Sequence, residues 1–191
     1  MRLIPNQLSK RNLLFAVAIA WSCQATALSS LPGVQPATGT IQLAFTPGDD
    51  AAELIMQAIK HAHKQILVQA YSFTHLGIAR ALIHAYQRGI DVIVIADPQQ
   101  AQRIPTSLIQ QLALAGIPVF TDGEHTSAHN KVMIIDADSH PTVITGSYNF
   151  THAAQFTNAE NLLILRDNAA VASAYRNNWQ RHREHSLPLL P

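Results

Sequence analysis

His129-Asn130-Lys131-Val132-Met133-Ile134-Ile135-Asp136 opens on a polar pair, runs through apolar and β-branched residues, and closes on an acid. A second polar cluster, Gly146-Ser147-Tyr148-Asn149, follows the apolar stretch Val143-Ile144-Thr145. Apolar runs of this length bounded by turn formers are the pattern of buried strands. Residues two apart on a strand share a face, so His129 and Lys131 point the same way, as do Ser147 and Asn149. Asp136 lies an odd number of residues from His129. It is therefore expected to face away, ordering the strand end and turn without meeting a substrate.

These residue types favour phosphoryl transfer. An imidazole is a nucleophile and proton carrier near neutral pH. A neighbouring ammonium neutralises phosphate charge, and Ser and Asn hydrogen-bond the non-bridging oxygens. Each residue alone would read as surface decoration; the combination is what points to a site.

The chain resembles the phospholipase D superfamily, whose signature is His-x-Lys-x4-Asp followed by Gly-Ser-x-Asn. The matching stretches are His129 to Asp136, then Thr145-Gly146-Ser147-Tyr148-Asn149-Phe150-Thr151, then Asn158-Ala159-Glu160-Asn161. The likeness runs more loosely from about Ile41 to Arg183, and is nearest to the small bacterial nucleases with one motif per chain. It implies His129 and Lys131 as catalytic residues, with Lys131, Ser147 and Asn149 on the phosphate. Asp136 and Gly146 are the structural members of the motif. In the related nucleases the residue matching Glu160 orients the nucleophilic imidazole, a role that suits a carboxylate.

With 191 residues the chain can bury one sizeable core. Hydrophobic residues at 48% against 13% charged fit a compact globular chain. Arg2, Lys10 and Arg11 precede the apolar run Leu13 to Trp21, and Ala25-Thr26-Ala27 has the small-x-small form of a cleavage site. This is the pattern of a secretory signal peptide over residues 1–27, in a run short for a membrane span. An uncleaved anchor is the alternative; lipoprotein processing at Cys23 fits poorly because Trp21 precedes it. Cleavage predicts a periplasmic or secreted chain with no stable membrane association. Losing Arg2, Lys10 and Arg11 leaves ten basic residues against twelve acids, a net charge of about −2. That balance counts against a tight nucleic-acid-binding module and penalises a turnover enzyme less.

Residues 28–39 read as an exposed leader rich in Pro and Gly, 40–186 as one domain, and 187–191 as a tail. Within the domain, strands are predicted at Thr40 to Phe45, Ile66 to Tyr71, Ile90 to Ala96 and Ile117 to Thr121, then the two motif strands and Leu162 to Leu165. Helices are predicted at about Ala51 to His63, after His75 as far as Gly89, at Ser107 to Leu114 and at Ala169 to His185. The alternation argues an α/β sandwich around a mixed β-sheet, with no internal repeat.

Ten histidines invite a metal reading. His125 and His129, His61 and His63, and His182 and His185 are paired by spacing, but none has a third ligand at standard spacing. No metal and no cofactor are expected. His125 reads as a solvated loop residue and His182-Arg183-Glu184-His185 as a solvated helix face. Tyr175 and Trp179, four apart, read as core.

The expectation is a sequence-nonspecific endonuclease acting on DNA, with RNA as a further substrate, through a phosphohistidine. One imidazole cannot flank both sides of an in-line displacement, so a homodimer is expected to supply the second. The alternatives are a phospholipase D or phosphatidyl transferase, and a non-catalytic nucleic-acid-binding protein.

Overall fold

A computed structural model describes residues 32–190. The proposed signal peptide lies outside them. Residues 32–38 have no regular structure and are exposed.

The strands are β1 (Thr40–Thr46), β2 (Gln65–Ala70), β3 (Asp91–Ala96), β4 (Val119–Thr121), β5 (Lys131–Ile135), β6 (Thr142–Gly146), β7 (Glu160–Arg166) and β8 (Leu187–Pro188). They form one mixed sheet in the order β1-β7-β6-β5-β2-β3-β4-β8. β2, β3 and β4 run parallel, and the remaining pairs are antiparallel. The mixed α/β architecture is the one predicted. β8 is a correction: the tail pairs with β4, with Phe120 opposite Pro188 and Thr121 opposite Leu187.

The helices are α1 (Ala51–Lys60), α2 (Leu76–Gln87), α3 (Pro98–Arg103), α4 (Ile109–Leu114), α5 (His152–Phe156) and α6 (Ala169–His185). α1 starts where predicted because the Asp50 carboxylate accepts the Glu53 N–H at 3.0 Å, satisfying one orphan donor of its first turn. It ends sooner, at Lys60, with His61 as its cap. Sequence reading passed over α3 and α5. Each is short and held by a side-chain cap, Asp97 to Gln100 N–H and Thr151 to Ala154 N–H.

The main core packs α1, α2 and α4 against one sheet face through residues such as Ile55, Ile59, Leu82, Leu112, Val68, Val94, Met133 and Ile164. α6 lies over β2, β5 and β6 on the other face. There Trp179 is 4% exposed, packs with Leu67, Ile95, Val132 and Ile134, and donates Nε1–H to Val68 O at 3.0 Å. The core reading of Trp179 holds.

Asp136 shows how the motif strand is pinned. Its φ is 50°, and its carboxylate accepts the N–H groups of His63, Lys64 and Gln65 at 2.7, 2.7 and 3.0 Å. Burial alone would raise its carboxyl pKa. The three N–H donors with His63 outweigh burial and hold it below the usual range. The acid thus joins the end of β5 to the start of β2, as its parity predicted. Asp136→Ala removes three acceptors and puts alanine at positive φ. A loss of about 3 kcal/mol in folding free energy is expected, read by urea denaturation.

Gly146 meets a different demand. Its φ is 145°, and a Cβ there would lie 2.3 Å from Asn161 O. Only glycine lets the end of β6 run this close to β7 before the chain turns into Ser147.

Candidate active site

His129 stands just before β5, and Lys131 is its first residue, 7% exposed. The shared face expected from strand periodicity is realised. Lys131 Nζ donates to His129 Nδ1 at 2.9 Å and to His129 O at 2.7 Å. Tyr71, one residue beyond β2, completes the group. Its ring centroid is 4.3 Å from that of His129, and Lys131 Nζ lies 4.8 Å above it. Antiparallel pairing sets Ala70 opposite Lys131, and the Tyr71 N–H donates to Asn130 O at 2.9 Å. Sequence reading saw Tyr71 only as a strand end; the pairing that brings it to His129 has no local signal.

Burial disfavours the charged ammonium and lowers the Lys131 pKa to about 8, with Glu160 partly opposing the shift. Lys131 is therefore cationic below about pH 8 and loses its charge above it. If that charge binds phosphate, kcat/KM is expected to fall on the alkaline side with a midpoint near pH 8. Lys131→Arg should move this limb beyond the accessible range. A pH–rate profile of both proteins checks it.

Ser147 and Glu160 form the opposite wall. Ser147 Oγ donates to Glu160 Oε2 at 2.6 Å and accepts from Asn161 N–H at 3.0 Å and Asn161 Nδ2 at 3.2 Å. Asn158 Nδ2 donates to Glu160 Oε1 at 3.1 Å. Glu160 begins β7 instead of preceding it. Within the protomer its carboxylate is held by Ser147 and Asn158, while the Nδ1 of His129 faces Lys131. The expected direct orientation of His129 by Glu160 is not among these contacts.

Asn149 Oδ1 is buried without a hydrogen-bond partner. The backbone around it is firmly placed. Phe150 O accepts the N–H groups of Thr74 and His75, and the Phe150 ring packs on Phe73 with centroids 5.7 Å apart. Tyr148 is fully buried, and its hydroxyl donates to Gln155 Oε1 at 3.2 Å. That oxygen also accepts the Ala52 N–H, tying the second motif segment to the start of α1. A surface cleft beside Asp136, lined by Gln57, His61, His63 and Arg166 among others, contains neither His129 nor Lys131.

An imidazole paired with a buried cation, beside Ser, Asn and Glu at adjoining strand ends, is equipped to bind a phosphodiester and exchange its substituents. The family model for the cardiolipin synthase, PLD-like domain matches residues 55–183. The chain belongs to the phospholipase D superfamily and is a phosphodiesterase-type enzyme of it. Phospholipase D of Rickettsia typhi is 37% identical over 139 residues, 73% of this chain and 66% of that protein. Mitochondrial cardiolipin hydrolase of Mus musculus is 30% identical over 145 residues, 76% of this chain and 64% of that protein. The chain thus spans about two thirds of the length of these relatives. Among solved structures, Nuc of Salmonella typhimurium, a phospholipase D family member, superposes with a TM-score of 0.75 at 32% identity. That match covers 81% of this chain and 100% of Nuc. NucT of Helicobacter pylori matches with a TM-score of 0.69 at 26% identity, covering 80% and 100% of the two chains.

Proposed function

We propose that the protein is a sequence-nonspecific endonuclease that hydrolyses DNA, and RNA as a further substrate, through a phosphohistidine at a site shared by two copies of the chain. The carrying observation is the His129–Lys131 pair, with one such imidazole per chain. Attack by His129 Nε2 on phosphorus forms an N–P bond and breaks the P–O bond to the leaving group. His129 of the second copy protonates the departing oxygen. It then takes a proton from water, whose oxygen attacks phosphorus and breaks the N–P bond.

The Lys131 contact has a mechanistic consequence. An ammonium donating to Nδ1 leaves the imidazole proton on Nε2, which then has no lone pair for attack. An arriving phosphate draws Lys131 onto its oxygens and frees Nδ1 to carry the proton. Nε2 then becomes nucleophilic only when substrate is bound. Glu160, freed from Ser147 as that hydroxyl turns to phosphate, is the carboxylate that takes over Nδ1–H. Lys131 brings the positive charge that the transition state requires, so the chemistry has no need of a metal ion.

A second copy has a surface to meet. Ile41, Leu43 and Phe45 of β1 are 60%, 52% and 58% exposed, on a sheet face that α6 covers only over β2, β5 and β6. β1 pairs them with Leu165, Leu163 and Asn161 of β7, so this apolar strip ends at the residue that donates to Ser147 Oγ. Such a strip on an edge strand is an association surface. Closure about a two-fold axis there would bring the two sites together.

Nucleic acid is favoured over lipid because the chain carries one copy of the motif and its match covers the full length of Nuc and of NucT. Among the described residues no helix is long and apolar enough to cross a membrane. The lipid reading has its own support in relatives that are phospholipases D and cardiolipin hydrolases. Supercoiled plasmid, phosphatidylcholine vesicles and cardiolipin vesicles offered to the same preparation decide between them. Nicking with intact lipid supports the proposal; lipid hydrolysis with intact plasmid replaces it. Export to the periplasm or medium is part of the same proposal and rests on the amino-terminal sequence pattern.

A further inference from the structure

A second polar cluster lies at the other edge of the molecule. Asp122, which follows β4, is fully buried, and three imidazoles converge on its carboxylate. His182 Nδ1 lies 2.6 Å from Oδ2, His125 Nδ1 3.3 Å from Oδ1, and His185 Nε2 3.2 Å from Oδ1. The three ring centroids are 5.0 to 5.4 Å apart. One ligand atom from each of the four residues falls within 4.8 Å of the others. A tetrahedral zinc with bonds of about 2.0–2.1 Å holds its ligand atoms roughly 3.3 Å apart, so modest side-chain movement closes this set on one ion.

Two features single the cluster out from an ordinary ion pair. One carboxylate cannot balance three neighbouring imidazolium ions, and neutral rings have few acceptors here. His185 Nε2 is buried and makes no well-formed hydrogen bond, although Asp122 Oδ1 lies 3.2 Å away. A buried ring nitrogen this close to a carboxylate and two further imidazoles, with no well-formed hydrogen bond of its own, is placed to ligate a cation. The sequence hides this arrangement. His182 and His185 share one face of α6, while Asp122 and His125 come from the loop after β4, about sixty residues earlier.

We propose that Asp122, His125, His182 and His185 form a structural zinc site that fastens the end of α6 to the loop leading into His129. Four protein ligands leave no position for water or substrate, which is the signature of a structural and not a hydrolytic zinc. On binding, each ring gives up the proton on its ligating nitrogen and keeps one on the other. The loop it holds is already anchored at its far end, where Ala128 N–H donates to Asp97 Oδ2 at 3.0 Å. Zinc would fix the near end and so the approach of the chain to His129.

The test uses untagged full-length protein stripped of metal, since a polyhistidine tag would bind the probe. Titration with Zn2+ should show one equivalent bound per chain and raise Tm by several degrees. Co2+ should give the intense visible absorption of a tetrahedral site. His182→Gln/His185→Gln should lose both responses, and His84→Gln should keep them. Absence of stoichiometric binding, a weak octahedral cobalt spectrum, or unchanged binding by the double variant would each overturn the proposal. The cobalt spectrum of the native protein needs no variant to fold. None of these readouts depends on the substrate of the enzyme.

Discussion

His129→Ala is expected to lower the rate of phosphodiester cleavage by about ten-thousand-fold or more, the usual cost of deleting a covalent nucleophile. The fold should survive. His129 lies before β5 and contacts Tyr71 and Lys131, outside both hydrophobic clusters. A Tm close to that of the native protein would show that the lost activity is chemical. A shared site adds a sharper expectation. If each active centre needs two copies of His129, native protein remixed with His129→Ala should lose activity as the square of the native fraction. A linear decline would mean that each chain works alone. Rates measured across such mixtures, after subunit exchange, distinguish the two.

Lys131→Met is expected to separate activity from stability in opposite directions. Loss of the phosphate-binding cation should cost about a thousand-fold in kcat/KM. The ammonium is costly to the fold, because its pKa drops from 10.5 in the unfolded chain to about 8 in the native one. Between those values the native state binds fewer protons, so stability rises with pH from about 8 towards 10.5. Below about pH 8 the cost is present in full. Methionine has a similar shape and carries no charge, so the variant should be more stable than the native protein at pH 7. It should also show no stability gain between pH 8 and 10.5. Chemical denaturation at several pH values, alongside steady-state kinetics, reads both halves. A site residue that destabilises its own fold is retained for its chemistry.

The parts of this site that strand periodicity governs could be read from sequence. Two-residue spacing put His129 beside Lys131, odd parity sent Asp136 to the strand end, and four-residue spacing placed Trp179 in the core. Elements set by pairing between distant segments could not be read. Tyr71 reaches His129 only because β2 and β5 are neighbours in one register. β8 exists because β4 offers an edge. Ile41, Leu43 and Phe45 alternate as a strand should, yet nothing local says that their face lacks a helix. The α3 cap is written in the sequence as Asp97-Pro98, an N-cap followed by proline at the first helical position, but the helix is only six residues long and carries no apolar stripe to announce it. His125, His182 and His185 were read as solvated because their common partner, Asp122, is close in sequence to only one of them. The fold buries that acid and gathers all three around it.

Glu160 marks where motif and geometry part. The resemblance gives it to His129; the protomer gives it to Ser147 and Asn158. In the proposed mechanism substrate reconciles the two, because it competes for Lys131 and Ser147 and so releases both sides of the switch. This makes the covalent step the claim on which the rest depends. Its most direct measurement is the stereochemical course at phosphorus, using a phosphorothioate diester of one configuration hydrolysed in heavy-oxygen water. Two successive in-line displacements, first by His129 and then by water, predict net retention. Net inversion would mean that water attacks the diester directly, and would contradict the phosphohistidine route.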